Sequence, residues 1–351
     1  MTFDRQEYRH RALPASQRGL SLVELMIAIG LGLFLTWGAI QAFLSGKQTY
    51  SMQQAVSRIQ ENSRLAQEFL TFDIRNAGAY GCASDQFVPN FATVLASVSA
   101  NTPETAFQNV VFAANDVTGA SNGDMGLQTP LNPPPLAGTD ILVVHTGTDV
   151  GVAGSGPGNY RAVIKDCLAP DMSILNPADA APTGLSATFS IAALETAIYY
   201  IANNASGNPS LYRRMLADGA TSQELLDGVE NLQLELGLDT NNDGQIDSYV
   251  TPNAVTSAQW NSWSDAWTNP VQTTKNTSTK KYNNAKGIIV DDTAEQRVRA
   301  VRYSLLLRSQ ENLLDVPQNY TYNGVVTVAA DRRLRQISGG AVGIRNRLNF
   351  N

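Results

Sequence analysis

The pattern of apolar and polar positions changes sharply within the first eighty residues. Apolar residues run almost unbroken over positions 20–44, and a single acidic residue, Glu24, interrupts them. Beyond Lys47 the apolar positions recur close to every 3.6 residues, with charged residues between them. The pattern therefore predicts one long helix over residues 20–77. Its first half would be long enough to cross a bilayer, about 37 Å at 1.5 Å per residue, and its second half would be amphipathic.

The rest of the chain has the short alternating runs that are typical of strands, separated by Gly and Pro clusters. The predicted strands cover residues 141–146, 160–165, 187–191, 197–202, 211–215, 229–238, 298–307 and 325–329. Residues 81–135 are rich in small polar residues and predict a loop-rich connection. We therefore expect an α+β fold, in which a long N-terminal helix packs on an antiparallel sheet with large loop insertions.

The segment before the apolar run is basic and ends in Gly19. An ordinary secretory signal carries its cleavage site after the apolar region, at small residues, and no such site follows here. A simple membrane anchor would explain the length of the run but not Glu24. A bare carboxylate in a bilayer costs about 2.5–3.5 kcal/mol or more, so Glu24 is predicted to have a functional role with a partner charge.

The segment Arg18-Gly19-Leu20-Ser21-Leu22-Val23-Glu24-Leu25 with its apolar continuation resembles the signal of type IV prepilins and of type II secretion pseudopilins. The resemblance implies that prepilin peptidase cuts after Gly19 and that Leu20, where the family usually has Phe, becomes the methylated N-terminus. It also implies that Glu24 pairs with the new α-amino group. The implied organisation is a leader peptide at 1–19, a transmembrane and filament-core helix at 20–45, and an amphipathic helix with an exported β-rich domain at 46–351.

Later segments resemble the large minor pilins of the PilW type. These segments are residues 227–234, 298–308, 332–335 and 344–347. The resemblance implies a non-enzymatic subunit that primes type IV pilus assembly near the tip, and so a role in adhesion and twitching motility. Its partners would be other minor pilins, the major pilin, prepilin peptidase and a tip adhesin. It would cross the inner membrane once, with its C-terminal domain in the periplasm, before entering the pilus.

Three alternatives stay open at this point. The J-type pseudopilins of type II secretion share similar segments. A membrane-tethered, calcium-dependent adhesin or binding module that never polymerises is a second alternative. An anchored enzyme is the third, but the chain has no Gly-x-Ser-x-Gly, no His-Glu-x-x-His and no phosphate loop. His145, in an apolar run, is predicted to be a buried structural residue, and Trp260, Trp263 and Trp267 are predicted to serve packing.

Charge and cysteine content further reduce the set of possible functions and partners. The chain carries a net charge of −6, and a leader with net +2 would leave about −8 on the mature protein. This acidic balance argues against nucleic acid as the main partner, and the basic leader should stay in the cytoplasm. In an exported domain the two cysteines, Cys82 and Cys167, predict a disulfide, with two buried thiols as the alternative.

One acidic loop has the spacing of a calcium site. Oxygen-bearing side chains fall at positions 1, 3, 5 and 9 of the loop, with Gly244 at position 6. This is the spacing of an EF-hand-type loop, although position 12 is Val250 instead of Glu and the flanks resemble strands. We therefore predict Ca²⁺ binding, with a plain turn as the alternative. The predicted ligands are Asp239, Asn241, Asp243, Gln245 and Asp247.

Overall fold

The structure is a computed structural model, and its described parts lie between residues 21 and 345. They are residues 21–82, 110–121, 124–125, 127, 129–149, 160–166, 172–175, 185, 188–215, 221–240, 245–255, 280–283, 288–291 and 297–345. The chain forms two compact units, Met1–Gln53 and Gln54–Asn351. The long helix begins in the first unit and ends in the second.

The helix α1 covers Leu22–Asn76, 55 residues, close to the predicted 20–77. In the second unit it buries a single stripe at intervals of three and four residues, which is the period of an α-helix lying on a core. That stripe consists of Ile59, Ser63, Ala66, Leu70 and Ile74. Gly78, with φ of +73°, follows the helix in the left-handed conformation that commonly ends helices.

Fifteen strands lie within the described residues, and all of their pairings are antiparallel. They are β1 (Val111–Ala114), β2 (Ile141–Asp149), β3 (Arg161–Ile164), β4 (Met172–Leu175), β5 (Ser190–Asn203), β6 (Pro209–Met215), β7 (Ser222–Asp227), β8 (Val229–Asp239), β9 (Ser248–Val250), β10 (Lys280–Asn283), β11 (Ile288–Asp291), β12 (Arg297–Asn312), β13 (Asn319–Tyr322), β14 (Val325–Val328) and β15 (Arg333–Gly343). A short 3₁₀-helix, Pro252–Ala254, follows β9.

The larger sheet is built around β5. One edge of β5 pairs with β2, while the other edge pairs with β3 along its first part and with β6 along its second part. The outer members are β1 beside β2, β4 beside β3 and β7 beside β6. The sequence predicted two strands here, at 187–191 and 197–202. That prediction is wrong, because Glu195 and Thr196 continue the ladder opposite β2 and join the two runs.

The second sheet has the order β15-β12-β8-β9, and β10-β11 and β13-β14 are separate hairpins. The strand β15 lies in the C-terminal stretch that the sequence showed only as basic. The predicted alternation over residues 229–238 is confirmed, because Leu232, Leu234, Leu236 and Leu238 all belong to one buried apolar core.

Both faces of the larger sheet are covered, which explains why β2 and β5 read as nearly continuous apolar runs. Leu142 and Tyr199 face a core that they share with α1 and with the second sheet. Their chain neighbours Val143 and Tyr200 face a separate apolar cluster on the opposite side. The fold is therefore α+β, a long N-terminal helix with antiparallel sheets, as the sequence predicted.

Candidate assembly site

The N-terminal end of α1 is closed by a side-chain cap. The Ser21 hydroxyl accepts the backbone N–H of Glu24 at 3.1 Å, and the Ser21 carbonyl accepts the N–H of Leu25 at 3.1 Å. Ser at the cap and Glu three residues later is the capping-box sequence, a signal that the sequence analysis missed. The cap uses the backbone of Glu24 and not its carboxylate. Gly19 and Leu20 lie outside the described residues.

The first part of α1 exposes apolar side chains on every side. Every residue from 21 to 50 is exposed, and the exposed fraction is 74% for Leu22 and 71% for both Leu35 and Phe43. By length and composition this is the one helix among the described residues that could cross a membrane. The only charge between Arg18 and Lys47 is Glu24. Exposing such an apolar surface to water is unfavourable in free energy, whereas lipid or other apolar helices can cover it.

We expect prepilin peptidase to remove residues 1–19. Gly19 stands directly before the apolar run, and Gly19→Arg would place a bulky charge at the cleavage position. N-terminal sequencing of the membrane fraction should find methylated Leu20 in the wild type and the uncut leader in the variant. Arg11→Ala, a change in the same leader away from Gly19, is the control and should be processed. A mature terminus at Ser21, or beyond residue 44, would contradict this prediction.

Within the second unit, polar contacts fix α1 to both sheets. Asp73 accepts a hydrogen bond from the Tyr199 hydroxyl of β5 and lies 4.0 Å from the guanidinium of Arg213 on β6. Burial raises the pKa of Asp73, and the Tyr199 hydrogen bond and the Arg213 charge oppose that rise. On the other sheet, Ser63 and Gln67 both donate to the Ser338 hydroxyl of β15 at 2.6 Å. Apolar packing alone does not fix the position of a helix on a sheet. Hydrogen bonds between the helix and the strands do, because they join specific pairs of atoms.

A second link joins the two sheets at Asp140, directly before β2. Its N–H donates to the Leu232 carbonyl at 2.9 Å, and its carboxylate accepts the N–H of Leu234 at 2.7 Å, so it occupies the free edge of β8. The other carboxylate oxygen accepts the N–H of Asp116 at 2.8 Å. Burial raises the pKa of Asp140 to about 7, although both backbone donors favour the ionised form.

Around Arg335 of β15 lies an ion-pair network that the sequence did not predict. Its guanidinium binds Glu230 through Nε at 2.8 Å and Nη2 at 3.1 Å, and Asp331 through Nη1 at 2.6 Å. The Tyr320 ring of β13 lies 5.5 Å from the guanidinium carbon. Burial lowers the pKa of Arg335, but the hydrogen bonds to Asp331 and Glu230 outweigh it and raise that pKa above its ordinary value.

The predicted cysteine pair is only partly within the described residues. Cys82, just after the helix, is disulfide-bonded. Cys167 is the other cysteine of the chain and lies outside the described residues. The pairing of Cys82 with Cys167 stays a prediction.

His145 is fully buried in β2, and its Nδ1 lies 2.9 Å from the Thr196 hydroxyl of β5, which agrees with a structural role. The three tryptophans of residues 260–267 lie outside the described residues.

The ends of the predicted calcium loop have partners within the protein. Asp239 is fully buried and accepts Arg299 Nε at 2.5 Å. Arg299 reaches it because the register of β12 against β8 shifts there, which makes Arg299 the extra residue of a bulge. Asp247 accepts both the N–H and the hydroxyl of Thr240, at 2.7 and 2.6 Å.

Ca²⁺ binding by this loop stays a prediction. Asn241 and Asp243 lie outside the described residues, within which no group of three or more His, Cys, Asp or Glu side chains could hold a metal. If the loop binds, Ca²⁺ must share the Asp239 carboxylate with Arg299. A ligand that binds only the folded protein stabilises it by about 2.7 kcal/mol when the free ligand concentration is a hundred times the dissociation constant.

We therefore expect Ca²⁺ to raise the melting temperature of the wild-type protein by several degrees over a chelator. Asp243→Ala should abolish the rise, because it removes the acid at loop position 5. Asn242→Ala, at a position without a predicted ligand, should keep it. Equal shifts in all three proteins, or none in any, would show that the loop is a turn.

Comparison with known families agrees with this arrangement. Residues 14–40 match the model of the prokaryotic N-terminal methylation motif, which covers Gly19, Glu24 and much of the exposed apolar helix. Residues 198–271 match the model of the type IV pilus-assembly protein W family, from the second half of β5 through β9. No curated protein and no solved structure matches the chain significantly.

The fold and the N-terminal motif therefore support a pilin related to the type IV pilus. The second match supports, within that class, a PilW-type minor pilin. These families are structural ones and imply interaction with other pilins and with prepilin peptidase. The motif and the apolar helix indicate membrane anchoring and association with the pilus.

Proposed function

We propose that this chain is a minor pilin that primes type IV pilus assembly and lies near the pilus tip. The observation that carries the proposal is the first part of α1, which joins a methylation motif to a fully exposed apolar surface with one acid. An apolar helix that is stable in lipid can leave it only for another apolar environment, such as the helices of neighbouring subunits.

In this proposal, residues 20–45 first anchor the subunit in the inner membrane, and the basic leader keeps the N-terminus in the cytoplasm. The β-rich domain then lies in the periplasm. Cleavage after Gly19 frees an α-amino group, and Glu24 pairs with the amino group at the start of a neighbouring helix. Opposite charges attract strongly at low dielectric, so this pairing would set the axial register of the subunits.

A structural role follows from the same arrangement, without a catalytic step. The polar contacts of the second unit fix the second half of α1 on both sheets through Asp73 and Ser338, so this half of the helix is part of the exported domain. We propose that these partners are other minor pilins first, then the major pilin, with an adhesin at the tip.

Deleting the gene should leave few pili, and the wild-type chain should restore them. Immunogold labelling of an epitope on the exported domain should then mark pilus ends and not shafts. A chain that lacks residues 20–45 is the control and should restore nothing. Normal pilus numbers in the deletion strain would contradict priming. Labels spread along the shafts would contradict the tip position, and a secretion defect with normal pili would indicate a secretion pseudopilus.

A further inference from the structure

The strand β15 is the last strand of its sheet, with β12 on one side and no strand on the other within the described residues. The direction of its backbone groups can be read at Arg335. The Gln318 side chain accepts the Arg335 N–H at 2.7 Å and donates to the Arg335 carbonyl at 3.2 Å. The backbone groups of Arg335 therefore point away from β12.

The same direction holds for every second residue of β15. Its register against β12 is unbroken from the Arg308–Arg335 pair to the Ala300–Gly343 pair. Because backbone groups alternate along an antiparallel strand, Ile337, Gly339, Ala341 and Gly343 also point outward. The N–H of Ile344 donates inward to Arg299, which agrees with this alternation. These four residues are called the outer edge of β15 below.

The outer edge differs from the other edges of this sheet. On the far side, β9 has only three residues, and Asp140 occupies the edge of β8 beyond it. Gln318 covers β15 at Arg335 alone. Residues 336–343 contain no charge and no proline, the devices that usually block an edge. Ile337, Gly339 and Ala341 are exposed. An uncharged, exposed edge of this length is a template for a further strand.

The side chains along the outer edge indicate what kind of strand fits. Three of the four residues are Gly or Ala, and a Cβ on Gly339 would lie 2.5 Å from the Tyr303 carbonyl oxygen. Two copies of this edge would bury almost no apolar side chain against each other. A strand with large β-branched or aromatic side chains would cover the small residues and gain that burial.

We propose that the outer edge of β15 receives an extended, uncharged segment of a different pilin subunit, which adds one strand to the sheet. The backbone hydrogen bonds of the four outward residues hold it, and its large alternate side chains cover the glycines. The proposal rests on the proposed function, because it takes its partner from the neighbours in the assembly. It adds a contact of the exported domain to the contacts of the apolar helices.

The test uses the full-length chain in the deletion strain. Ala341→Pro removes one outward N–H and leaves the ladder with β12 in place, and proline is tolerated at an edge whose N–H faces solvent. Ala341→Thr keeps the N–H and is the matched control. We expect a several-fold loss of pili with Ala341→Pro and wild-type numbers with Ala341→Thr, at equal membrane levels. If proline lowers the melting temperature, Ala341→Lys replaces it, because a charge blocks an edge while the N–H stays.

A photoreactive phenylalanine analogue at position 341 identifies the occupant. Irradiation of the cells should join it to an uncharged peptide of another pilin, and the same probe at Ser248, on the opposite edge, should not. Two differently tagged copies that cross-link to each other, or no adduct at 341, would overturn the proposal. Wild-type pilus numbers with Ala341→Pro would also overturn it. The proposed function fails separately, if the deletion strain itself keeps normal pili.

Discussion

Replacing Glu24 with leucine should leave the protein in the membrane at its normal level but reduce the number of pili several-fold. The substitution removes the only charge between Arg18 and Lys47, so it should raise the affinity of the helix for lipid. The start of the helix should not change, because Ser21 is bonded to the backbone N–H of residue 24. The loss of pili would therefore come from the missing carboxylate and not from a frayed helix.

Pilus counts in the deletion strain, at matched expression, measure the effect of Glu24→Leu. Co-purification with partner pilins should weaken in parallel. Two controls separate charge from structure. Glu24→Asp keeps the carboxylate and should retain part of the activity, while Ser21→Ala removes the cap, typically about 1 kcal/mol of helix stability, and keeps the charge. Wild-type counts with Glu24→Leu would contradict the role of this residue in assembly.

Replacing Arg335 with methionine should destabilise the exported domain by about 3 kcal/mol. The change leaves the Glu230 and Asp331 carboxylates without their shared guanidinium, and breaking a buried pair typically costs about 3–5 kcal/mol. We expect the lower part of that range, because Arg308 lies 3.9 Å from Glu230 and compensates in part. Tyr320 would also lose the cation above its ring, so the hairpin β13-β14 should loosen.

Arg302→Met is the matched control for Arg335→Met. Arg302 lies on β12, next to β15, and pairs with Glu235 of β8 at 2.9 Å, but 47% of its side chain is exposed. Exposed pairs contribute little, so we expect a loss of about 1 kcal/mol. Urea unfolding of the full-length protein in detergent, followed by circular dichroism, compares the two. Equal losses in both variants would show that burial does not set the strength of the Arg335 network.

Much of the fold could be read from local patterns. The helix, its apolar half and its stop near Gly78 follow from residues close together in the chain, and so does the alternation of leucines along β8. The turn between β13 and β14 is also local: Asn323-Gly324, with φ of +50° and +76°, is the pair that two-residue hairpins favour. The capping sequence at Ser21 is equally local, because Ser21 and Glu24 lie three residues apart.

The rest depended on partners far apart in the sequence. The strand β5 appeared as two runs, because Glu195 and Thr196 look like an interruption until β2 pairs with them. The basic C-terminal stretch gave no strand signal, because one partner of its Arg335 is Glu230, which lies 105 residues away in the sequence. Asp239 stays a predicted metal ligand, but the sequence gives no sign of its contact with Arg299, which a bulge in β12 brings to it.

The sequence alone determined the class of this protein, because the leader, the acid and the apolar run lie within the first 44 residues and act through their order along the chain. Tertiary structure alone decided which charges are buried, which edge Asp140 closes and which edge of β15 has no neighbouring strand among the described residues. Those features arise from contacts between strands that lie far apart in the sequence, and such contacts depend on register and topology. A local pattern of residues cannot specify either of these.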